Sequence, residues 1–308
     1  GGRVTRVVRE PARARATRRD WLGATRPPTL TAAAIPVIVG SALGIRAGAF
    51  RPEAFALALG AAVLLQIGAN LANDYFDHRS GADVETRLGP RRLIQRGLAS
   101  PRAIALASAL SLTLAALAGI GLVAIGGWPI LAIGLSAIAA AVLYTGGPLR
   151  YGYRGLGDVA VFLFFGPVAV AGTAYLHLGR LAPAALAASL PIACLVTAIL
   201  VVNNLRDIDT DRAAGKRTLV VLLGPGAARA EYVALVGGAY ASVAFLVAGG
   251  ALPPGALLAL LSAPLARPLV RDVQPGAAAV TLNAALRATA RLHLVFGALL
   301  AVGLLLPL

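Results

Sequence analysis

The stretch "NLANDYFDHRSGAD", residues 70–83, closes an apolar run and, with Glu85 just beyond it, crowds Asp74, Asp77, Asp83 and Glu85 into twelve positions. A second stretch, "NNLRDIDTDRAAGKRTL" (203–219), also follows an apolar run and carries Asp207, Asp209 and Asp211. Only 13% of the 308 residues are charged and 58% are hydrophobic, yet seven of the 13 acidic residues fall in these two places. The fold follows from what surrounds them.

Mean hydropathy is +0.79, too high for a soluble domain of this length, whose surface needs more charge. Long apolar stretches separated by short polar ones describe a polytopic helical membrane protein. Nine apolar helices are expected, at 30–47, 53–74, 102–125, 128–145, 158–177, 182–204, 230–250, 252–270 and 287–307, enclosing a central cavity. The eighth is the least regular, because Pro253, Pro254, Pro264 and Pro268 crowd it. The expected organisation is a basic segment (1–27) followed by one nine-helix domain (28–308). An Arg-rich start with no early apolar run argues against a cleavable signal sequence.

The net charge of +15 suggests nucleic acid until its location is read. With the N-terminus cytoplasmic and each helix crossing once, 25 of the 28 basic residues fall on the cytoplasmic side, leaving Arg46, Arg51 and Arg180 outside. That asymmetry orients a membrane protein and attracts anionic lipid headgroups, so no nucleic-acid partner is expected. Four crossings separate the two acidic motifs, which places both at the cytoplasmic face of a bacterial-type cell membrane. The one cysteine, Cys194, sits in an apolar segment and reads as a small buried hydrophobe.

Asn70, Asp74 and Asp77 are spaced i, i+4, i+7, and Asn203, Asp207 and Asp211 are spaced i, i+4, i+8. At about 100° per residue each set forms a narrow helical stripe. A carboxylate in a membrane faces a polar cavity or pairs with a cation. Two such stripes on one face, each with asparagine alongside, suit a hard divalent cation such as Mg²⁺, which takes carboxylate, water and phosphate oxygens. Lys216 is the only lysine in the chain and stands five positions after Asp211, a placement that points to an anionic ligand. Arg206, Arg217 and Arg96 divide evenly between anion binding and orientation. Arg91 and Arg92 read as orientation charge.

The flanking segments "RPPTL" (26–30), "RLGPRRLIQRGLASP" (87–101), "LYTGGPLRYGYRGLGD" (143–158) and "FFGPVAVAGT" (164–173), taken with the two acidic motifs, resemble the UbiA superfamily of intramembrane prenyltransferases. Within it, residues 21–224 resemble the 1,4-dihydroxy-2-naphthoate polyprenyltransferases of menaquinone synthesis. The resemblance implies transfer of a polyprenyl group from a polyprenyl diphosphate to the naphthoate, with loss of CO₂ and diphosphate. It implies Mg²⁺ on Asp74, Asp77, Asp207 and Asp211, and substrate contacts from Arg26, Asn70, Asn73, Arg150, Asp158, Asn203, Asn204, Arg206 and Lys216. The superfamily carries a third acid where this chain has Gly81, and Asp83 is the nearest substitute. The family commonly has Glu where Asp158 stands, and Asp158 either orients the acceptor or caps a helix. Among Tyr144, Tyr151, Phe162, Phe165 and Tyr175, Tyr144 is the preferred aromatic for an allylic cation.

Other acceptors of the same superfamily, 4-hydroxybenzoate or homogentisate, are the nearest rivals. A cation-coupled transporter is the rival of a different class, and it favours ionisable groups near the bilayer midplane, whereas these acids end helices.

Overall fold

The computed structural model describes residues 16–81 and 92–306. All regular structure among them is helical. A short helix, Arg18–Ala24, leads into Pro27–Arg46, Pro52–Arg79, Pro101–Gly126 and Trp128–Leu143. Next come a 3₁₀ turn, Tyr151–Arg154, and the long helices Gly157–Leu178 and Pro183–Arg206. Two short helices, Ile208–Ala213 and Leu219–Leu223, precede Pro225–Ala248, and a 3₁₀ run (Pro254–Ser262) continues into Ala263–Asp272 before the last helix, Ala279–Leu305.

Five of the long helices begin on proline, whose missing N–H lies among the orphan donors of a first turn and whose φ is preset for helix. Among the described residues, seven helices are long and apolar enough to cross a membrane. The expected fourth span is Trp128–Leu143, 16 residues, shorter than the other seven. The expected eighth is not a continuous α-helix: its prolines divide it into the 3₁₀ run and the helix after it. That 3₁₀ run packs backbone to backbone on the last helix, where a Cβ on Gly255 would lie 2.3 Å from the Gly303 carbonyl oxygen. Such close approach is how helices associate in lipid, where apolar burial does not drive them together.

The helix Pro183–Arg206 is the central element, its middle buried almost throughout, whereas Pro101–Gly126 lines the outside with Leu106, Leu110 and Ile120 exposed. One large apolar cluster joins Ile35 and Val39 to Leu195, Val201, Phe296 and Leu300. A second gathers Val37, Ala58, Leu122, Ile130 and Leu176. Residues 16–26 pack onto this body, with Trp21 against Leu71, Leu93 and Ile104 and Asp20 paired to Arg96 at 2.8 Å. Between the clusters lies the space that positions the site.

Candidate active site

The first acidic motif lies inside an unbroken helix. Pro52–Arg79 runs past the end expected at 74, so Asp74 and Asp77 sit within its last turns, both buried. Asp74 accepts from Arg26 and pairs with Arg92 Nε at 3.0 Å. Asp77 Oδ2 meets Arg92 Nη2 at 2.7 Å and Lys216 Nζ at 3.2 Å, while its Oδ1 accepts from the Tyr153 hydroxyl at 2.6 Å. Asn70 donates to the Thr25 carbonyl and to Thr29 Oγ1, fixing the approach of Arg26, and Asn73 Oδ1 accepts from Thr145 at 2.8 Å.

The second motif is built differently. The helix Pro183–Arg206 ends where Asp207 leaves helical geometry (φ −96°, ψ 8°), and Ile208–Ala213 starts anew. The single stripe expected from the spacing is therefore interrupted. A hydrogen bond donated by the Asp211 backbone N–H to the Asp207 carbonyl, 2.8 Å, still keeps the two acids one turn apart. Arg206 forks onto Asp207 through Nε at 2.8 Å and Nη2 at 2.6 Å, and reaches Asn203 and Asn283 at 3.0 Å each. Asp209 points outward, 83% exposed. Asp211 pairs with Lys216 Nζ at 3.4 Å. Burial, with the charges of Asp207 and Asp77, holds its carboxyl above the ordinary range, against the pull of Lys216.

Lys216 thus joins the motifs, bonded to Asp77 of one and Asp211 of the other, with Nζ 4.9 Å above the Tyr153 ring. Burial and then the Asp77 charge push the Tyr153 phenol up, keeping it a donor. Between the motifs is a polar cavity of about 70 Å³, bordered by Asp77, Asp207, Asp211, Lys216, Arg92 and Asn204. Beneath it is a far larger one, about 540 Å³, walled mainly by Ala, Gly, Leu, Ile and Val. The two share Arg26, Asn73, Tyr144 and Asn203 as a common rim. A small polar pocket and a large apolar chamber thus meet at one rim.

The sequence profile of the UbiA prenyltransferase family matches residues 33–286. The chain belongs to this family. It is 41% identical to the 1,4-dihydroxy-2-naphthoate octaprenyltransferase of Mycobacterium tuberculosis over 90% of this chain and 94% of that one. It is 38% identical to the Escherichia coli protein of the same name over 90% and 93%. A UbiA homologue from Aeropyrum pernix shares the fold at TM-score 0.68 and 20% identity, covering 88% of this chain and 97% of that one. The Archaeoglobus fulgidus homologue bound to DMAPP and Mg²⁺ superposes at TM-score 0.58 with 16% identity, covering 92% and 99%.

The donors around the small cavity are oxygens: Asp77, Asp207 and Asp211, with Asn73, Asn203, Asn204 and Thr210. Among the described residues no three acidic, histidine or cysteine side chains converge as a metal cage. These oxygens, with Arg26, Arg92 and Lys216 beside them, fit Mg²⁺ together with a phosphate, since Mg²⁺ binds through one or two carboxylates and takes its other ligands from water and phosphate.

Several placements differ from expectation. Arg92, read as orientation charge, is 5% exposed and grips both Asp74 and Asp77; charge counting cannot separate such an arginine from its neighbours. Tyr153, in the 143–158 segment, enters the site through its bond to Asp77, which no local sequence pattern marks. Asp74 borders neither cavity and reaches the site through Arg26 and Arg92. Arg150 is exposed, with left-handed φ of 36°, and also borders neither. Asp158 is buried in the first turn of Gly157–Leu178, where Leu156 holds the N-cap position. Its Oδ1 has no hydrogen-bond partner among the described residues. Tyr144, Tyr151 and Phe165 border the large cavity, with Tyr144 and Tyr151 edge to face at 5.3 Å, while Phe162 and Tyr175 pack into the apolar clusters. Asp83 and Arg91 lie outside the described residues.

Proposed function

We propose that this protein transfers a polyprenyl group from a polyprenyl diphosphate to 1,4-dihydroxy-2-naphthoate, the step that gives demethylmenaquinol in menaquinone synthesis. The observation that carries this reading is the pair of cavities of opposite character sharing one rim at Arg26, Asn73, Tyr144 and Asn203. A diphosphate head and an isoprenoid tail differ in the same way. Relatives up to 41% identical, named for this naphthoate transfer, support the choice of acceptor.

In this mechanism Asp77, Asp207 and Asp211, with Asp74 behind them, would hold Mg²⁺ against the diphosphate. The chemistry supplied by the bound Mg²⁺ is Lewis-acid neutralisation of the leaving diphosphate. Lys216, Arg206 and Arg26 take the remaining phosphate oxygens as charge-assisted donors, and Asn70, Asn73, Asn203 and Asn204 shape the pocket around them. The allylic C–O bond breaks at the rim and the diphosphate departs. Tyr144 faces the allylic carbon there, and its ring stabilises the positive charge. Water excluded from the apolar chamber cannot intercept that charge. The new C–C bond forms at the ring carbon bearing the carboxylate; the C–COO⁻ bond then breaks, releasing CO₂ and returning its electron pair to the ring. Asp158 is buried and borders neither cavity, so its carboxylate is assigned no contact with the acceptor.

The same reading sets the topology. The long apolar segments make nine crossings, with Trp128–Leu143 and the divided Pro254–Asp272 segment as the two short ones, and the small cavity opens to the cytoplasm. Purified protein given a polyprenyl diphosphate, Mg²⁺ and a mixture of aromatic acids should release prenylated, decarboxylated naphthoate by mass analysis. EDTA should stop it and Mg²⁺ restore it. Prenylation of 4-hydroxybenzoate alone would overturn the acceptor. In a Cys194→Ala background, Ser80→Cys and Ala214→Cys should both react with an impermeant maleimide from the cytoplasmic side only; labelling from opposite sides would end the shared-site account.

A further inference from the structure

The helix Gly157–Leu178 is not α-helical throughout. Residues Phe164–Val168 form a π turn in which the Ala169 amide reaches the Phe164 carbonyl, five positions back. Its local cause is legible: Pro167 offers no N–H and its ring crowds the preceding turn. The bulge also has a seat. A Cβ on Gly166 would lie 2.3 Å from Ala193 Cβ, so the bulge rests directly on the central helix.

The consequence is a matter of angle. Before and within the bulge, Ala160, Val161, Phe164 and Phe165 border the 540 Å³ chamber. Beyond it, Ala169, Gly172, Thr173 and Leu176 do so, with Val168 between. These positions repeat every four residues, and an α-helix turns about 100° per residue, so a four-residue repeat drifts by about 40° each time. In an unbroken α-helix the nine positions would spread over an arc of about 220°, with Thr173 and Ala169 on the far side from Ala160. A π turn absorbs one residue without advancing the helical face. With that residue removed from the count, the same nine positions fall within about 160°, one continuous wall. The last of them, Leu176, then joins Val37, Ala58, Leu122 and Ile130 at the end of the chamber remote from the acidic motifs.

We infer that the π turn at Phe164–Val168 is a specificity device: it keeps the distal half of this helix on the tail chamber and so sets how long an isoprenoid the protein accepts. Gly166 and Pro167 are the residues that impose it, and Gly172 is the distal wall position on which it acts most directly. A Cβ there meets only Ile133 Cδ1, at 3.4 Å, so the wall at this point is thin and open to the tail. The inference rests on the prenyl-transfer reading above, and the experiment separates the two.

Geranyl diphosphate and octaprenyl diphosphate are compared as donors to the naphthoate. Deleting Gly166 restores an α-helical count and turns the distal wall away. The ratio of octaprenyl to geranyl kcat/KM should fall at least tenfold, since even one methylene's worth of lost fit changes such ratios by about 10–200-fold. A ratio unchanged in a folded deletion protein overturns the inference. If the deletion protein does not fold, Gly172→Leu, which narrows the chamber without altering the bulge, decides: the same selective fall is expected, and an unchanged ratio overturns it. Should the wild type transfer neither donor, the functional reading falls alone. Gly172→Cys in the Cys194→Ala background then tests the wall, because octaprenyl diphosphate but not geranyl diphosphate should protect it from N-ethylmaleimide. Equal labelling with both would refute it.

Discussion

The two acidic motifs read as two copies of one device, but the structure makes them unequal. In the first, the helix continues through both aspartates, and four partners from four separate segments (Arg26, Arg92, Tyr153 and Lys216) hold Asp74 and Asp77. In the second, the helix breaks at Asp207, and that residue leans on its own neighbour, Arg206. Asp211 pairs with Lys216, which it shares with Asp77. The first motif is held from several segments, whereas the second rests on Arg206 beside Asp207 and on a lysine that Asp211 shares with Asp77. Under the proposed function, the first motif would position the ligand and the second would supply charge to a cation.

The largest test sets Asp77→Asn against Asp211→Asn. Both should lower kcat/KM for prenyl transfer by about 100-fold or more, because each takes a hard anionic donor from the same pocket. Stability should separate them. Asp77→Asn takes one of two carboxylates from the buried Arg92, leaving Asp74, and one of two from Lys216, leaving Asp211, so it should cost part of the about 3–5 kcal/mol of a fully broken buried pair. Asp211 has its carboxyl pushed up by burial, then by Asp207 and Asp77, so its ionised form disfavours folding at neutral pH. By sign, a folded-state pKa above the unfolded one subtracts stability once pH exceeds the unfolded value. Removing that charge should leave thermal stability unchanged or raised. Thermal unfolding in detergent measures both, and equal losses would erase the distinction between the motifs.

A tenfold to hundredfold effect is expected at the bridge between them. Lys216→Ala removes a charge-assisted contact, worth roughly 1.5–3 kcal/mol, and should act on the prenyl diphosphate's kcat/KM while leaving the naphthoate KM within a few-fold. Arg102→Ala is the control: Arg102 is exposed at the start of Pro101–Gly126 and its loss should change neither constant. Steady-state kinetics with each substrate varied in turn separates a bridging lysine from one more orientation charge, which would make the two variants alike.

Much of this was legible without coordinates, for physical reasons. Membrane spans announce themselves through length and hydropathy, and hard-ligand residues are rare enough in an apolar chain that Asp74, Asp77, Asp207, Asp211 and Lys216 stood out. What stayed hidden depended on three-dimensional partners. Arg92 looks like Arg102 in sequence, since both are basic residues near a helix start; only burial against two carboxylates distinguishes them. Tyr153 lies among other aromatics and gains its role from a bond to a residue 76 positions away. The break at Asp207 carries no proline or glycine to mark it. The π turn was marked, by Gly166-Pro167, but its effect on the chamber emerges only when wall positions on both sides of it are compared.

The smallest expected effect probes how rigid the first motif must be. Tyr153→Phe deletes the 2.6 Å hydrogen bond to Asp77 Oδ1 and keeps the ring beneath Lys216. Arg92 and Lys216 remain on Oδ2, so the carboxylate stays charged and in place but gains freedom to rotate about its end. A hydrogen bond to a charged group contributes about 1.5–3 kcal/mol when its partner has no substitute. Here Asp77 borders a polar pocket of about 70 Å³, where water can replace part of the loss. The expected fall in kcat/KM is therefore about three- to tenfold, with Asp77→Asn far below it in the same assay. Tyr153→Ala should cost more than Tyr153→Phe, because it also removes the aromatic face under the lysine. If Tyr153→Phe matched Asp77→Asn, the phenol would be acting on substrate directly, and the division of labour between a positioning motif and a charge-supplying one would need to be redrawn.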